Sequence, residues 1–468
     1  MGYDLVVIGG GPGGYIPAIR AAQYGMKTAL VEARELGGTC LNRGCVPTKA
    51  LLHAANLLAA IKGAGRFGVS ISGLSVDLGK VYERKDEIVG KLRDGIASLL
   101  KANGVDVYRG FAHIPERGLV LAKTDRETLR LETRNILIAA GCVPSVPPIK
   151  GAGLRGVTTS DELLSSPPDF ESLTIIGGGV IGAEMASVFS GFGIKVCILE
   201  CEGRILTAFD REISQNLTAI LKKRGVSVTT GAAVSGIREV NRALVSDYVR
   251  NGAAESIEAD RVLIATGRKP AFSGLFDTSL GIRTGRGVIV DEDCETSVEG
   301  IFAAGDVAEG SAQLAHAASA GGLRAVAKMA GMKRPYCLSA IPSCVYTEPE
   351  IAAVGLSADE AKVRGIEVKT GKYLMSANAR SMIEGAERGF IKLVFGAADG
   401  VLLGAQLMCE RATDLIGGLA AAVALRHTSE ELLAAVSAHP SFYEGIAEAV
   451  ENAKGSAIHM PPLRKRNI

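Results

Sequence analysis

Two stretches of the chain carry the same succession of apolar and polar positions. The first runs from Tyr3 through Leu5, Val6, Val7 and Ile8 to Gly9-x-Gly11-x-x-Gly14, takes a helical pattern to Gly25, and returns to an apolar run ending in Glu32. The second runs from Leu173 to Ile176, through Gly177-x-Gly179-x-x-Gly182 and a helical pattern to Gly193, and ends in the run Lys195 to Glu200. Short, near-continuous apolar runs bounded by glycine read as strands buried on both faces, so each stretch predicts strand, helix and parallel strand. Further runs, Asn135 to Gly141 and Arg261 to Gly267, close each stretch with a similar phrase, which makes the repeat one of whole domains. The segment from Val143 to Pro148 reads as a connection between them. Pro17 conflicts with this pattern, because a proline beyond the first turn costs about 3 kcal/mol in a regular helix. It predicts a kink or a late helix start.

The glycines have a chemistry of their own. In a turn from strand to helix they allow a tight bend, a close approach of backbone to a pyrophosphate, and close packing of helix on strand, while the helix N-terminus faces the phosphates. Glu32 and Glu200, each closing the second strand, are placed to bind ribose hydroxyls. Two complete units with the terminal acid predict two dinucleotides.

Length extends this picture. At 468 residues the chain is several domains long. The expected boundaries are 1–147 and 148–271 for the two nucleotide domains, 272–340 for a central domain and 341–468 for a last one. A net charge of only +2 argues against nucleic acid or anionic membrane as partner. The N-terminus lacks the basic region and cleavage site of a signal peptide, and the longest apolar run, about 415–425, is short for a membrane span. We therefore expect a cytoplasmic protein. Nine cysteines scattered over such a length form no disulfide framework, and no cysteine or histidine cluster has metal-ligand spacing.

One cysteine pair stands apart. Cys40 and Cys45 lie in Leu36-Gly37-Gly38-Thr39-Cys40-Leu41-Asn42-Arg43-Gly44-Cys45-Val46-Pro47-Thr48-Lys49, just after the first βαβ unit. Residues five apart on a regular helix are separated by about 7.5 Å of rise, beyond the roughly 7 Å Cα limit for a disulfide. A bonded pair therefore requires a distorted turn, for which Gly44 is suited, and Pro47 fits the first turn of a helix continuing to about Ile61. A cysteine at that helix N-terminus, with Lys49 nearby, gains thiolate character. The other seven cysteines read as packing residues.

The segment Gly37 to Lys49 resembles the signature of the class I pyridine nucleotide-disulfide oxidoreductases. The resemblance spans the whole chain, through Thr296 to Asp306, Leu314 to Ala317, Ile341 to Glu350 and His439 to Glu444. It implies an α/β fold of two Rossmann-like dinucleotide-binding domains plus a C-terminal α+β dimerisation domain. FAD is implied in the first domain, with Gly9, Gly11, Gly14, Gly38, Thr39 and Gly141 around it, Glu32 on the adenosine ribose, Lys49 near the reactive end of the flavin and Asp306 on the ribityl chain. Ala112 and Ala315 add contacts. NAD is implied in the second, on Gly177, Gly179 and Gly182, with Glu200 on the ribose and Val234 and Gly267 touching it, and Glu184 matches the acid that pairs with the flavin-side lysine. Without the resemblance, Asp306 reads equally as a helix cap and Val234 as a core residue.

His439 and Glu444 match the acid–base dyad that the family draws from the opposite subunit, which implies a homodimer. The activity implied is oxidation of protein-bound dihydrolipoamide to lipoamide with reduction of NAD⁺. The substrate would be carried by a lipoyl-bearing protein of a 2-oxoacid dehydrogenase complex or of glycine cleavage. Ser437 stands where a histidine is usual, and Phe442 and Tyr443 replace smaller residues, bulk that predicts a reshaped substrate channel. Ala271 with Phe272, and Asp414, are lesser departures.

Three alternatives stay open. A glutathione-type reductase favours NADP, which Glu200 would repel and the isolated Arg204 would not restore. A mercuric reductase needs a cysteine pair near the C-terminus, and Met460 to Ile468 has none. A catalytically silent nucleotide-binding sensor or structural subunit would be expected to have lost Cys40, Cys45, His439 or Glu444, all present here.

Overall fold

The structure is a computed structural model that describes residues 2–386 and 388–461, so the end of the expected C-terminal domain, 462–468, lies outside the described residues. The chain packs as two compact units that are interleaved in sequence. One holds the chain up to Ala54, Ile61–Phe170 and Val262–Leu338; the other holds Ala55–Ala60, Glu171–Arg261 and the chain from Ser339 on. By packing, residues 148–170 and 262–271 group with the first unit. Cys142–Pro144 pairs antiparallel with Arg268–Pro270, and Val157–Thr159 pairs parallel with Arg261–Ile264.

The first unit is built on a seven-stranded sheet in the order Asp106–Arg109, Thr28–Glu32, Tyr3–Ile8, Thr128–Ile138, Leu119–Lys123, Phe111–Glu116, with Ile301–Ala303 also on Thr128–Ile138. The central strands are parallel, with Val6 opposite Ala29 on one side and Ile136 on the other. Successive residues of Tyr3–Ile8 feed two different cores. Leu5 and Val7 pack with Ala18, Leu100 and Val326, whereas Val6 and Ile8 pack with Ile114, Val120 and Val307. Burial on both faces is the reason the strand reads as a continuous apolar run.

Helix Pro12–Gln23 starts at Pro12 and continues through the buried Pro17, so the late start expected from that proline is not found. Pro17 has no N–H for the carbonyl of Gly13 one turn back. That carbonyl instead lies against Gly322 of helix Ala315–Met329, where an added Cβ would come within 2.8 Å of it and 2.7 Å of Pro17 Cγ.

The second unit contains the repeated βαβ arrangement, with Ser172–Ile176, Lys195–Glu200 and Ser227–Thr230 parallel in that order. An antiparallel three-stranded sheet follows, Ala232–Val240, Ala243–Arg250 and Ala253–Ala259. Its C-terminal part is an antiparallel five-stranded sheet from Ser343 to Cys409. Helices Ala412–Leu425 and Glu444–Lys454 close the core of this sheet with Ile416, Leu419, Ile446 and Val450.

Among the described residues, one helical stretch, Gly38–Lys62, is long and apolar enough to cross a membrane by length and composition, where the apolar runs predicted none. It is interrupted at Gly44 and buries Leu41, Leu51, Leu52, Ala55 and Leu58 in the protein.

Candidate active site

Cys40 and Cys45 are joined as a disulfide with their Cα atoms 4.7 Å apart. The distorted turn required by their spacing is a break between two helices. Gly38–Arg43 ends at Gly44, which has φ −140° and ψ −108°, and Cys45–Lys62 begins on the second cysteine. A side chain at position 44 would place its Cβ 3.0 Å from the Thr39 carbonyl oxygen. Asn42 Nδ2 fixes the entry to the first helix by donating to the carbonyls of Leu36 and Gly38, each at 2.9 Å. Cys45 thus stands at the positive end of an 18-residue helix, with Lys49 one turn along, a setting that favours a thiolate. Both cysteines are half-buried.

The two glycine turns are built alike. Gly9 (φ +103°) and Gly177 (φ +110°) hold the positive φ that bends each strand into its helix. A Cβ on Gly14 or Gly182 would run into the carbonyl oxygen of Gly9 or Gly177, so only glycine lets helix and strand pack. Gly11 and Gly179 cap their helices without any side-chain hydrogen bond, and a Cβ at Gly179 would meet nothing within 4 Å. The helix N-termini therefore keep N–H groups for an anion, which fits a pyrophosphate at each.

Glu32 accepts the Gly10 N–H at 2.5 Å and the Arg34 N–H at 2.6 Å; Glu200 accepts those of Gly178 at 2.5 Å and Glu202 at 2.8 Å. Each carboxylate thus ties the end of the second strand to its glycine turn, a role not read from the sequence. The guanidinium of Arg204 is engaged with the carbonyls of Leu206, Thr207 and Phe209.

Of the further expected contacts in the first unit, Ala112 lies on Phe111–Glu116, Ala315 opens Ala315–Met329, and Gly141 and Gly267 have positive φ with open space where a Cβ would be. Asp306 lies in the short turn Gly305–Val307. Its Oδ2 accepts the thiol of Cys142 at 2.8 Å, and Arg268 Nε donates to the same sulfur at 3.0 Å. Cys142 is therefore no mere packing residue, which corrects the reading of it from sequence.

In the second unit, Val234 packs beside Cys197, Leu199 and Tyr248. Glu184, buried on Val180–Gly191, accepts the Tyr346 N–H at 3.0 Å. His439 Nδ1 lies 2.8 Å from Glu444 Oε1, while the Ser441 N–H donates to Oε2 at 2.8 Å. Asn378, itself buried, donates to the Ser441 carbonyl at 2.9 Å and so pins the loop that carries the histidine. Burial works against the Glu444 carboxylate, but the Ser441 N–H and His439 hold its carboxyl below the usual range. The imidazole is mostly exposed and can meet a substrate. Phe442 does not add bulk at this surface: only 5% exposed, it points into the core with Ile446 and Tyr373. His459, given no role by the sequence, pairs with Glu448 at 2.7 Å, one turn beyond Glu444 on the same helix.

Residues 3–322 match the family model described as Pyridine nucleotide-disulphide oxidoreductase, and residues 341–450 match that family's dimerisation domain. The chain belongs to the pyridine nucleotide-disulphide oxidoreductases. It is 38% identical to a dihydrolipoyl dehydrogenase of Bacillus subtilis over 98% of this chain and 99% of that protein, and 36% identical to one of Pseudomonas aeruginosa over 98% of each. LpdA from Mycobacterium tuberculosis matches its structure with a TM-score of 0.88 at 25% identity, over 96% of this chain and 99% of that one. The HOCl-induced flavoprotein disulfide reductase RclA from Escherichia coli matches with a TM-score of 0.84 at 28% identity, over 96% and 99%. Membership in the pyridine nucleotide-disulphide oxidoreductases bears out the fold class read from the sequence. It makes the chain an FAD- and NAD-dependent enzyme with Cys40–Cys45 as its redox-active disulfide, working as a homodimer.

Proposed function

We propose that the chain is a dihydrolipoyl dehydrogenase, oxidising dihydrolipoamide on a lipoyl-bearing carrier of a 2-oxoacid dehydrogenase complex or of glycine cleavage while NAD⁺ is reduced. The observation that carries this is the full-length identity of 38% to a dihydrolipoyl dehydrogenase, in a chain that keeps Cys40, Cys45, His439 and Glu444. The cytoplasm, where thiols are kept reduced, suits a disulfide that must open and close.

His439 of a second copy takes the proton from one substrate thiol, and the partner carboxylate of Glu444 orients the imidazole and stabilises its cation. The substrate thiolate attacks Cys40 Sγ, the Cys40–Cys45 bond breaks, and Cys45 leaves as a thiolate at its helix N-terminus. The second substrate thiol then attacks the sulfur bonded to Cys40, releasing the cyclic disulfide and leaving two electrons on the Cys40/Cys45 dithiol. Bound FAD supplies a two-electron acceptor that returns the pair to the disulfide, with NAD as the final hydride acceptor.

In this reading Gly9, Gly11, Gly14, Gly38 and Thr39 line the FAD pyrophosphate, Glu32 takes the adenosine ribose and Asp306 the ribityl chain. Lys49 and Glu184 serve the reactive end of the flavin. Gly141, Ala112 and Ala315 would hold the rest of it. Gly177, Gly179, Gly182, Glu200, Val234 and Gly267 serve NAD. The choice of NAD over NADP is supported by Glu200, which would repel a 2′-phosphate, and by the engagement of Arg204 with backbone carbonyls. Steady-state oxidation of dihydrolipoamide with NAD⁺, set beside reduction of glutathione disulfide with NADPH, tests the proposal. The first should exceed the second by about 100-fold or more in kcat/KM. Preference for the glutathione pair would refute it.

A further inference from the structure

Three strands of the first unit end in the same short phrase. Ala139-Ala140-Gly141-Cys142 follows Thr128–Ile138, Ala265-Thr266-Gly267-Arg268 follows Arg261–Ile264, and Ala303-Ala304-Gly305-Asp306 closes Ile301–Ala303. Each glycine has a positive φ, +71°, +105° and +77°, which turns the chain sharply off its strand. The residue after each glycine is a different polar side chain, and the three meet. Cys142 Sγ donates to Asp306 Oδ2 at 2.8 Å and accepts from Arg268 Nε at 3.0 Å. Arg268 is held in turn by Asp161 at 3.1 Å and by the Cys142 carbonyl at 3.2 Å. The result is a linear chain of carboxylate, guanidinium, thiol and carboxylate.

We propose that Cys142 is a positioning residue for the flavin: its thiol links the Arg268 guanidinium to Asp306 and fixes the carboxylate that holds the ribityl chain. The proposal rests on the reading of Asp306 as a flavin contact. A thiol is an unusual choice for such a link, but here it is 7% exposed, and burial together with the Asp306 charge pushes it up to about 12. The sulfur keeps its proton at neutral pH and remains a donor to Asp306. Arg268 only donates to the sulfur, so the S–H is left for the Asp306 carboxylate. Alanine at position 142 would remove both bonds and leave the Arg268 and Asp306 charges without their bridge. Serine would restore both, since a hydroxyl also donates and accepts.

The experiment compares the parent with Cys142→Ala, Cys142→Ser and Asp306→Ala, each stripped of flavin and titrated with FAD. Cys142→Ala should weaken FAD binding about tenfold or more, the scale of a lost hydrogen bond to a charged group, and Cys142→Ser should restore it to within about threefold. FAD binding by Cys142→Ala at the parent's affinity overturns the inference if Asp306→Ala binds weakly. If Asp306→Ala itself binds FAD like the parent, the reading of Asp306 as a flavin contact fails instead. The bridge is also tested without flavin, by the S–H infrared stretch isolated as the difference between the parent and Cys142→Ser. A hydrogen-bonded band that moves towards the free-thiol position in Asp306→Asn supports the bridge; a free-thiol band in the parent refutes it.

Discussion

Glu444 opens its helix while its carboxylate reaches back to His439, so one side chain both ties down the loop at Ser441 and holds the imidazole, 2.8 Å from Nδ1. The two oxygens divide the work, Oε1 to the histidine and Oε2 to the Ser441 N–H. Loss of this residue should therefore be felt in catalysis and in stability alike.

For catalysis, Glu444→Gln keeps the shape but removes the charge that stabilises the imidazolium. A fall of about 10- to 100-fold in kcat/KM for dithiol oxidation is expected in steady-state assays, within the range of general acid–base effects. An unchanged rate would remove His439–Glu444 from the mechanism.

For stability, the sign follows from the lowered carboxyl of Glu444. Its folded value lies below the unfolded one, so the charged carboxylate favours the folded state above the ordinary carboxylate range, and this contribution is lost as pH falls through the depressed value. The difference in Tm between the parent and Glu444→Gln should thus be largest near neutral pH and shrink towards acid. A difference that grows on acidification would contradict the assignment.

Subunit exchange tests whether the dyad acts across the dimer. Cys45→Ser and His439→Ala proteins should each be nearly inactive, with Cys45→Ser reduced about a thousandfold or more. Mixed in equal amounts and allowed to re-pair, they should recover roughly a quarter of parental activity, because half of the dimers would carry one intact site of two. Recovery near zero, with exchange confirmed by mass, would place the base on the same chain as its disulfide.

Gly322→Ala tests the packing of the proline-bearing helix. The added methyl meets Pro17 Cγ and the Gly13 carbonyl oxygen, at 2.7 and 2.8 Å, so two helices must part. A loss of about 1–3 kcal/mol is expected in denaturant unfolding. A neutral result would show that the helices shift without resistance.

How much of this was legible in the sequence depends on how far apart the interacting residues lie. The glycine turns and the disulfide could be read because their chemistry is local: Gly9 meets Gly14, and Cys40 meets Cys45 across one turn. The Cys142 cluster could not, since its contacts span 126 and 164 residues and cysteine on a strand end looks like packing. The repeated Ala-x-Gly phrases were visible, but nothing in them told that their following side chains converge. Phe442 was misjudged for a similar reason, because proximity to His439 in sequence says nothing of the side on which a ring points. Pro17 was noticed as an anomaly, and its explanation lay in a glycine on a helix from the far end of the unit. The interleaving of the two units was equally hidden, as it depends on which distant segments pack together.

The break at Gly44 also bears on what the crosslink does for the folded protein. A bond between residues only five apart restricts the unfolded chain by about 2 kcal/mol, against about 4.7 kcal/mol for a loop of 100 residues. The remaining architecture is held by two buried cores and a mixed sheet that this short ring does not span. Opening the ring therefore frees little chain entropy, and a protein that must sever a covalent bond in every cycle keeps its shape while doing so.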